Sequence, residues 1–175
     1  AGLPTFAKAI PCPPRPRRPH EKEGVHYYFV SDEEFDRLIR DDEMLEWARV
    51  HENRYGVPVS SVIDRLVEGR DVICVIDVQG ALRMRSLFPN SLLIFLKPPG
   101  ENHEEELKRR MERRGATDEA ELERRLRTAV WELSQMPLYD YQIVNDSVEH
   151  AAAQLQEIVL REKTRRERAR QDGEE

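Results

Sequence analysis

The sequence predicts an α/β protein built on a parallel sheet with helices on both faces. Two unbroken apolar runs carry that expectation, Val72 to Ile76 and Leu92 to Leu96. A strand wetted on one face alternates polar and apolar residues, so unbroken runs suit parallel strands covered on both sides. The third observation is the helical punctuation between and around the runs, with Ser31, Asn102 and Asp146-Ser147 as starts and Gly69 and Gly115 as stops.

The bounds are set by size and charge. A length of 175 residues fits one domain, or one domain with a small insertion. A hydrophobic content of 39% can fill a core, while 35% charged residues implies long solvated helices. The net charge of −6 argues against bulk attraction to nucleic acid. Cys12 and Cys74 are too few for a disulfide framework or a zinc site. No apolar run approaches the roughly 20 residues of a membrane span, and no signal-peptide pattern opens the chain. A soluble cytoplasmic protein is expected.

Taken in order, Thr5 to Ile10 reads as a short strand. The prolines of Pro11 to Pro19 then forbid both helix and central strand, since they remove donors and fix φ. Arg15, Arg17 and Arg18 on that stiff loop have the chemistry of an anion clamp, because guanidinium forks match phosphate oxygens. A solvated basic linker is the simpler reading without context. Gly24 to Val30 reads as a strand, and Ser31-Asp-Glu-Glu34 as a capping box for a helix over Phe35–Arg40. Glu43 to Val50 reads as a strand, Asn53 to Gly56 as a turn, and Pro58 to Glu68 as an amphipathic helix with proline in its first turn. Residues 25 to 57 thus form a block of small β elements inserted in an α/β pattern.

Asp77 ends the first apolar run, where strands of open α/β sheets meet their ligands. On spacing alone a solvated Asp closing a strand is the simpler reading. Ala81 to Phe88 reads as a short helix, and the second apolar run stops at Pro98-Pro99. Asn102 and Glu105 cap a basic helix with Lys108, Arg109, Arg110, Arg113 and Arg114, followed by a second helix from about Asp118 to Gln135 with Arg124, Arg125 and Arg127. Tyr141 to Asn145 is a third main strand. A final helix shows one apolar face through Leu160, and Arg161 to Glu175 reads as a frayed, charged tail.

Arg15-Pro-Arg-Arg18-Pro-His-Glu21, followed by Gly24-Val-His-Tyr27-Tyr-Phe-Val-Ser31, resembles the GMP-binding segment of guanylate kinases. The likeness continues through Glu46-Trp47, Tyr55-Gly56, Ile76-Asp77-Val-Gln-Gly80, Arg110-x-x-x-Arg114-Gly115, Arg125-Leu126 and Val144-Asn145-Asp146. It covers nearly everything from residue 11 to 160. The resemblance implies ATP-dependent phosphorylation of GMP to GDP, with ATP and Mg2+ as cofactors and nucleotides as the only partners. It implies no nucleic-acid or membrane partner, and a monomer or dimer. It also implies that Arg15, Arg18, Tyr27 and Tyr55 hold the GMP phosphate and that Glu46 and Asp77 accept from guanine. Arg110, Arg114 and Arg125 would serve the transferring phosphoryl group, and Asn145 would touch ATP.

The fold implied is a three-layer P-loop kinase type, with a GMP-binding lobe at 15–57, a helical lid at 101–135 and a charged tail at 161–175. The core comprises 1–14, 58–100 and 136–160. The family's first strand and its phosphate loop are missing, since no G-x-x-x-x-G-K-[ST] occurs in the 175 residues. Proline stands at 13 and 14 where the family usually has threonines. A truncated kinase is expected, with the strand between the two apolar runs absent and those runs not laddered to each other. The alternative is a non-catalytic module of the same fold that binds GMP or a phosphorylated peptide.

Overall fold

The computed structural model describes residues 6–50, 53–113 and 119–173, which divide into two units between Asn90 and Ser91. In the first unit lie β1 (Phe6–Lys8), α1 (Asp32–Arg40), β2 (Met44–Val50), β3 (Asn53–Pro58), α2 (Val59–Val67), β4 (Asp71–Ile73) and α3 (Val78–Leu87). In the second lie β5 (Ile94–Lys97), α4 (His103–Arg113), α5 (Glu119–Ser134), a 3-10 turn at Met136–Leu138, β6 (Tyr141–Val144) and α6 (Val148–Asp172). The ladders are β1 with β4 and β5 with β6, both parallel, and β2 with β3, antiparallel.

Capping chemistry places the helix starts. Ser31 Oγ accepts from the Glu34 N–H at 3.1 Å, as the capping box requires. Glu34 does not reach back to complete the box; its carboxylate takes both forks of Arg37 at 2.9 Å instead. Asn102 Oδ1 accepts from the Glu105 N–H, and Ser147 Oγ accepts from the His150 N–H. Pro58 is the N-cap residue of α2 rather than part of its first turn.

Four expectations are corrected. Residues 24 to 30 are not a strand. Tyr28 and Val30 donate to the carbonyls of Pro11 and Pro13, but those prolines have no N–H to return, so no reciprocal ladder forms. Residues 53 to 56 are not a turn but the start of β3, with Tyr55 opposite Ala48 and Asn53 opposite Val50. Gly56 sits within that strand because a Cβ there would lie 2.9 Å from the Met44 sulfur and 3.2 Å from the Glu46 carbonyl oxygen. It also exchanges two backbone bonds with Cys12, at 2.7 and 3.0 Å.

The third correction concerns the apolar run 72–76. Only its first two residues lie in β4, and the remainder is wetted on one side. Cys74 and Ile76 pack against the cluster of Ala9, Leu45, Val57, Val62 and Met84, while Val75 between them is 78% exposed. The fourth concerns the tail. α6 runs to Asp172 and closes on Gly173 at φ +75°, a left-handed C-terminal stop. Ion pairs Arg161–Glu157 and Arg165–Glu162, each 2.7 Å, staple successive turns. Tyr141 Oη donates to the buried Glu162 at 2.8 Å and so pins the helix to β6. Among the described residues, no helix is long and apolar enough to cross a membrane.

Candidate functional site

The β2–β3 hairpin carries two of the sequence-predicted residues of the first unit, Glu46 and Tyr55. Side chains of directly paired residues point to the same face, so Glu46 opposite Val57 and Ala48 opposite Tyr55 put Glu46 and Tyr55 on a common face. A diagonal pair of that kind spans about 7–8 Å between backbones.

At the Glu46 end stands a carboxylate pair. Asp77 is the N-cap of α3, its Oδ1 accepting from the Gly80 N–H at 2.8 Å. Glu46 Oε2 accepts from the Asp77 N–H, also at 2.8 Å. Each carboxylate thus has one oxygen bonded to backbone at the start of α3, where the helix dipole favours negative charge. Among the described residues Glu46 Oε1 and Asp77 Oδ2 accept from no backbone N–H, and the two carboxyls lie close enough to hydrogen-bond each other when Glu46 is protonated. Burial, and then the neighbouring Asp77 carboxylate, push the Glu46 carboxyl above its ordinary range. Asp77 itself is exposed rather than buried at the end of a strand.

Gly80 makes the pair possible. A Cβ on Gly80 would lie 2.8 Å from Glu46 Oε2 and 3.2 Å from Glu46 Cβ, inside contact distance of both. Any side chain there displaces the Glu46 carboxylate.

At the Tyr55 end the arginine loop folds back on itself. Arg15 Nη1 and Nη2 donate to the two oxygens of Glu21 at 2.8 and 2.7 Å, and Arg15 Nε reaches Tyr55 Oη at 3.4 Å. The Arg15 guanidinium carbon lies 5.3 to 5.7 Å from the rings of Tyr27, Phe29 and Tyr55. Tyr27 and Tyr55 stand with ring centroids 5.8 Å apart. Arg18 has an exposed side chain with no hydrogen bond or ion pair among the described residues. Glu21 and Phe29 are absent from the sequence-predicted set. Both stand inside the stretch that resembles the GMP-binding segment, where the resemblance assigns them no role.

In the second unit, Arg110 and Asn145 are brought together. Arg110 Nε donates to Glu106 at 2.8 Å and its Nη2 donates to the Asn145 carbonyl at 3.0 Å. Arg125 lies on α5, which packs on α4. Arg114 lies outside the described residues.

Parallel ladders together with helices define an α/β protein, with a carboxylate pair beside β2 and an arginine–tyrosine cluster beside β3. Comparison with known proteins narrows the class. The family model described as guanylate kinase matches residues 4–162. The guanylate kinase of Bacillus subtilis strain 168 is 42% identical over 163 residues, covering 93% of this chain and 78% of the relative. That of Streptomyces coelicolor is 47% identical over 138 residues, covering 79% and 68%. The crystal structure of guanylate kinase from Anaplasma phagocytophilum superposes with a TM-score of 0.63 at 36% identity, over 90% of this chain and 76% of that one. The chain belongs to the guanylate kinase family.

Proposed function

We propose that the hairpin face of the first unit receives GMP, as the acceptor of a phosphoryl group from ATP. The observation that carries this reading is the Glu46–Asp77 pair, each carboxylate anchored through one oxygen to a backbone N–H at the start of α3. Guanine offers two adjacent donors on one edge, the N1–H and the exocyclic amine. Ionised carboxylates only accept, so the two match. Adenine presents an unprotonated ring nitrogen at the same position, and a site left with an unmatched buried acceptor rejects it. Arg15 and Arg18, with the Tyr27 and Tyr55 hydroxyls, supply charge and donors for the phosphate, and Arg15 already stands beside both tyrosine rings.

In this reading Arg110, Arg114 and Arg125 neutralise charge on the transferring group, and Asn145 contacts the phosphoryl donor. Positioning and charge neutralisation are most of what phosphoryl transfer asks of a protein. The division into a GMP lobe at 15–57, a lid at 101–135 and a core comprising the rest up to 160 belongs to the same proposal. Mg2+ is implied by the family and, when bound with ATP, would supply neutralisation of phosphate charge. No group of three or more metal-ligating side chains occurs among the described residues, and no phosphate-loop motif occurs in the sequence.

Calorimetric titration with GMP and AMP tests the proposal. GMP is expected to bind at least tenfold more tightly, and equal affinity would refute the assignment of Glu46 and Asp77 to the base.

A further inference from the structure

We propose that Arg83 is a positioning residue for base recognition: its bonds to Asp42 strap α3 to the turn that launches β2, and so set the separation of Asp77 and Glu46. The proposal rests on the reading of those two carboxylates as the acceptors for guanine.

β2 and α3 meet along a seam with three ties. At one end Glu46 accepts the Asp77 N–H at 2.8 Å. In the middle Leu45 and Met84, both buried, share one apolar cluster. At the far end Arg83 Nη1 pairs with Asp42 Oδ1 at 2.8 Å, while Nη2 donates to the Asp42 carbonyl. Asp77 and Arg83 thus hold β2 at points about 9 Å apart along the helix. A bulge supplies the middle tie. Met44 faces Pro58 and Glu46 faces Val57, so Leu45 is an extra residue without a cross-strand partner, and it packs into the cluster that holds Met84.

The strap grips main chain as well as side chain. Asp42 has φ +59°, the left-handed conformation that turns the chain from α1 into β2. An exposed ion pair alone contributes little, but a bond to the Asp42 carbonyl holds the backbone whatever the carboxylate does. Among the described residues the Arg83 guanidinium bonds Asp42 alone, and its Nε is buried without a partner. Burying that N–H is costly, and the Asp42 bonds offset the cost. The Leu45–Met84 packing is apolar and non-directional, so by itself it lets the seam pivot. A pivot that loosens the Asp42 end moves Glu46 against Asp77 at the other. Two adjacent donors on one base edge need both acceptors within hydrogen-bond distance at once, and a base without that edge makes no such demand.

The test combines amide hydrogen exchange of the free 175-residue chain with calorimetric titration. In Arg83→Gln the Asp77 N–H is expected to exchange about fivefold faster or more, while the Gly80 N–H, bonded within the helix start itself, and the amides of β6 stay within about twofold. GMP is expected to bind about three- to fivefold more weakly, with AMP within about twofold of the unaltered chain. Arg83→Lys is expected to recover part of both effects. Asp42→Gly suits a positive φ and keeps the carbonyl, so it is expected to lose less than Arg83→Gln. Unchanged Asp77 exchange, unchanged GMP affinity or equal losses for GMP and AMP overturn the proposal, as does faster exchange at Gly80 and β6 alike, which would mark general loosening. If the unaltered chain binds GMP and AMP equally, the reading of the carboxylate pair fails instead, and the exchange rates still decide whether Arg83 holds Asp77 to Glu46.

Discussion

Replacing Glu46 with Gln separates what the carboxylate does for the ligand from what it does for the fold. In the free protein, Glu46 accepts the Asp77 N–H at 2.8 Å, and burial beside a second carboxylate makes its ionisation unfavourable. Gln keeps an acceptor for that N–H but gives up the charge, so a bond weakens and a desolvated charge disappears. Each effect is worth about 1 kcal/mol, and they oppose, so thermal stability should move by no more than a few degrees in either direction. The ligand has no such compensation. A Gln carbonyl accepts one neutral hydrogen bond where a carboxylate accepted a charge-assisted one, and its NH2 meets the guanine donors if it turns. The loss should be about 1.5–3 kcal/mol, or roughly 10- to 100-fold in GMP affinity. AMP affinity should fall less, so that selectivity collapses with affinity. The assay pairs calorimetric titrations of GMP and AMP with thermal unfolding of both proteins. Unchanged GMP affinity, or equal losses for the two nucleotides, would refute the role given to Glu46.

The remaining expectations rest on separate contacts. GMP affinity should rise with pH through the elevated pKa of Glu46 and then level off, because the free protein holds a proton that the guanine-bound form must release; a Glu46→Gln variant should show a flat profile, and a flat profile in the unaltered chain would contradict the linkage. Gly80→Ala should weaken GMP binding about tenfold by pushing the Glu46 carboxylate aside, with helix propensity partly offsetting the crowding in stability; unaltered binding would show that the carboxylate position is not critical. The Arg15 fork holds Glu21 down to about 2 from an ordinary 4.5, so its contribution to stability is complete above pH 4.5 and lost as pH falls towards 2. Acid unfolding of Glu21→Gln should lack that component. A polypeptide of these 175 residues should show negligible phosphoryl transfer without an added phosphate loop, and turnover near 1–100 s−1 would show the loop to be dispensable.

How far the sequence reveals this structure depends on whether the deciding interaction is local. Ser31, Asn102 and Ser147 announce their helices because a cap bonds an N–H three residues away. The parallel strands are legible as apolar runs, but their lengths are not. Where β4 ends depends on the partner beside it, and Val75 is apolar yet exposed. Asn53 to Gly56 has turn composition, and the cross-strand pairs with β2 override it. Pro11 and Pro13 have no N–H to return to Tyr28 and Val30, so no ladder forms between those segments, a consequence visible only once they lie side by side. The site residues are legible as donors and acceptors of suitable type. That Glu21 occupies the Arg15 fork, or that Gly80 makes room for Glu46, follows from geometry that no spacing encodes. The last helix outruns its apolar face because ion pairs at i+3 and i+4 and the Tyr141–Glu162 bond sustain it.

A crystal structure of this chain with GMP bound tests the central claim most directly. The guanine N1 and exocyclic amine nitrogens should lie about 2.7–3.2 Å from free carboxylate oxygens of Glu46 and Asp77. The phosphate should meet Arg15, Arg18, Tyr27 and Tyr55. A base seated away from Glu46 and Asp77, or a phosphate seated away from the arginine–tyrosine cluster, would contradict it.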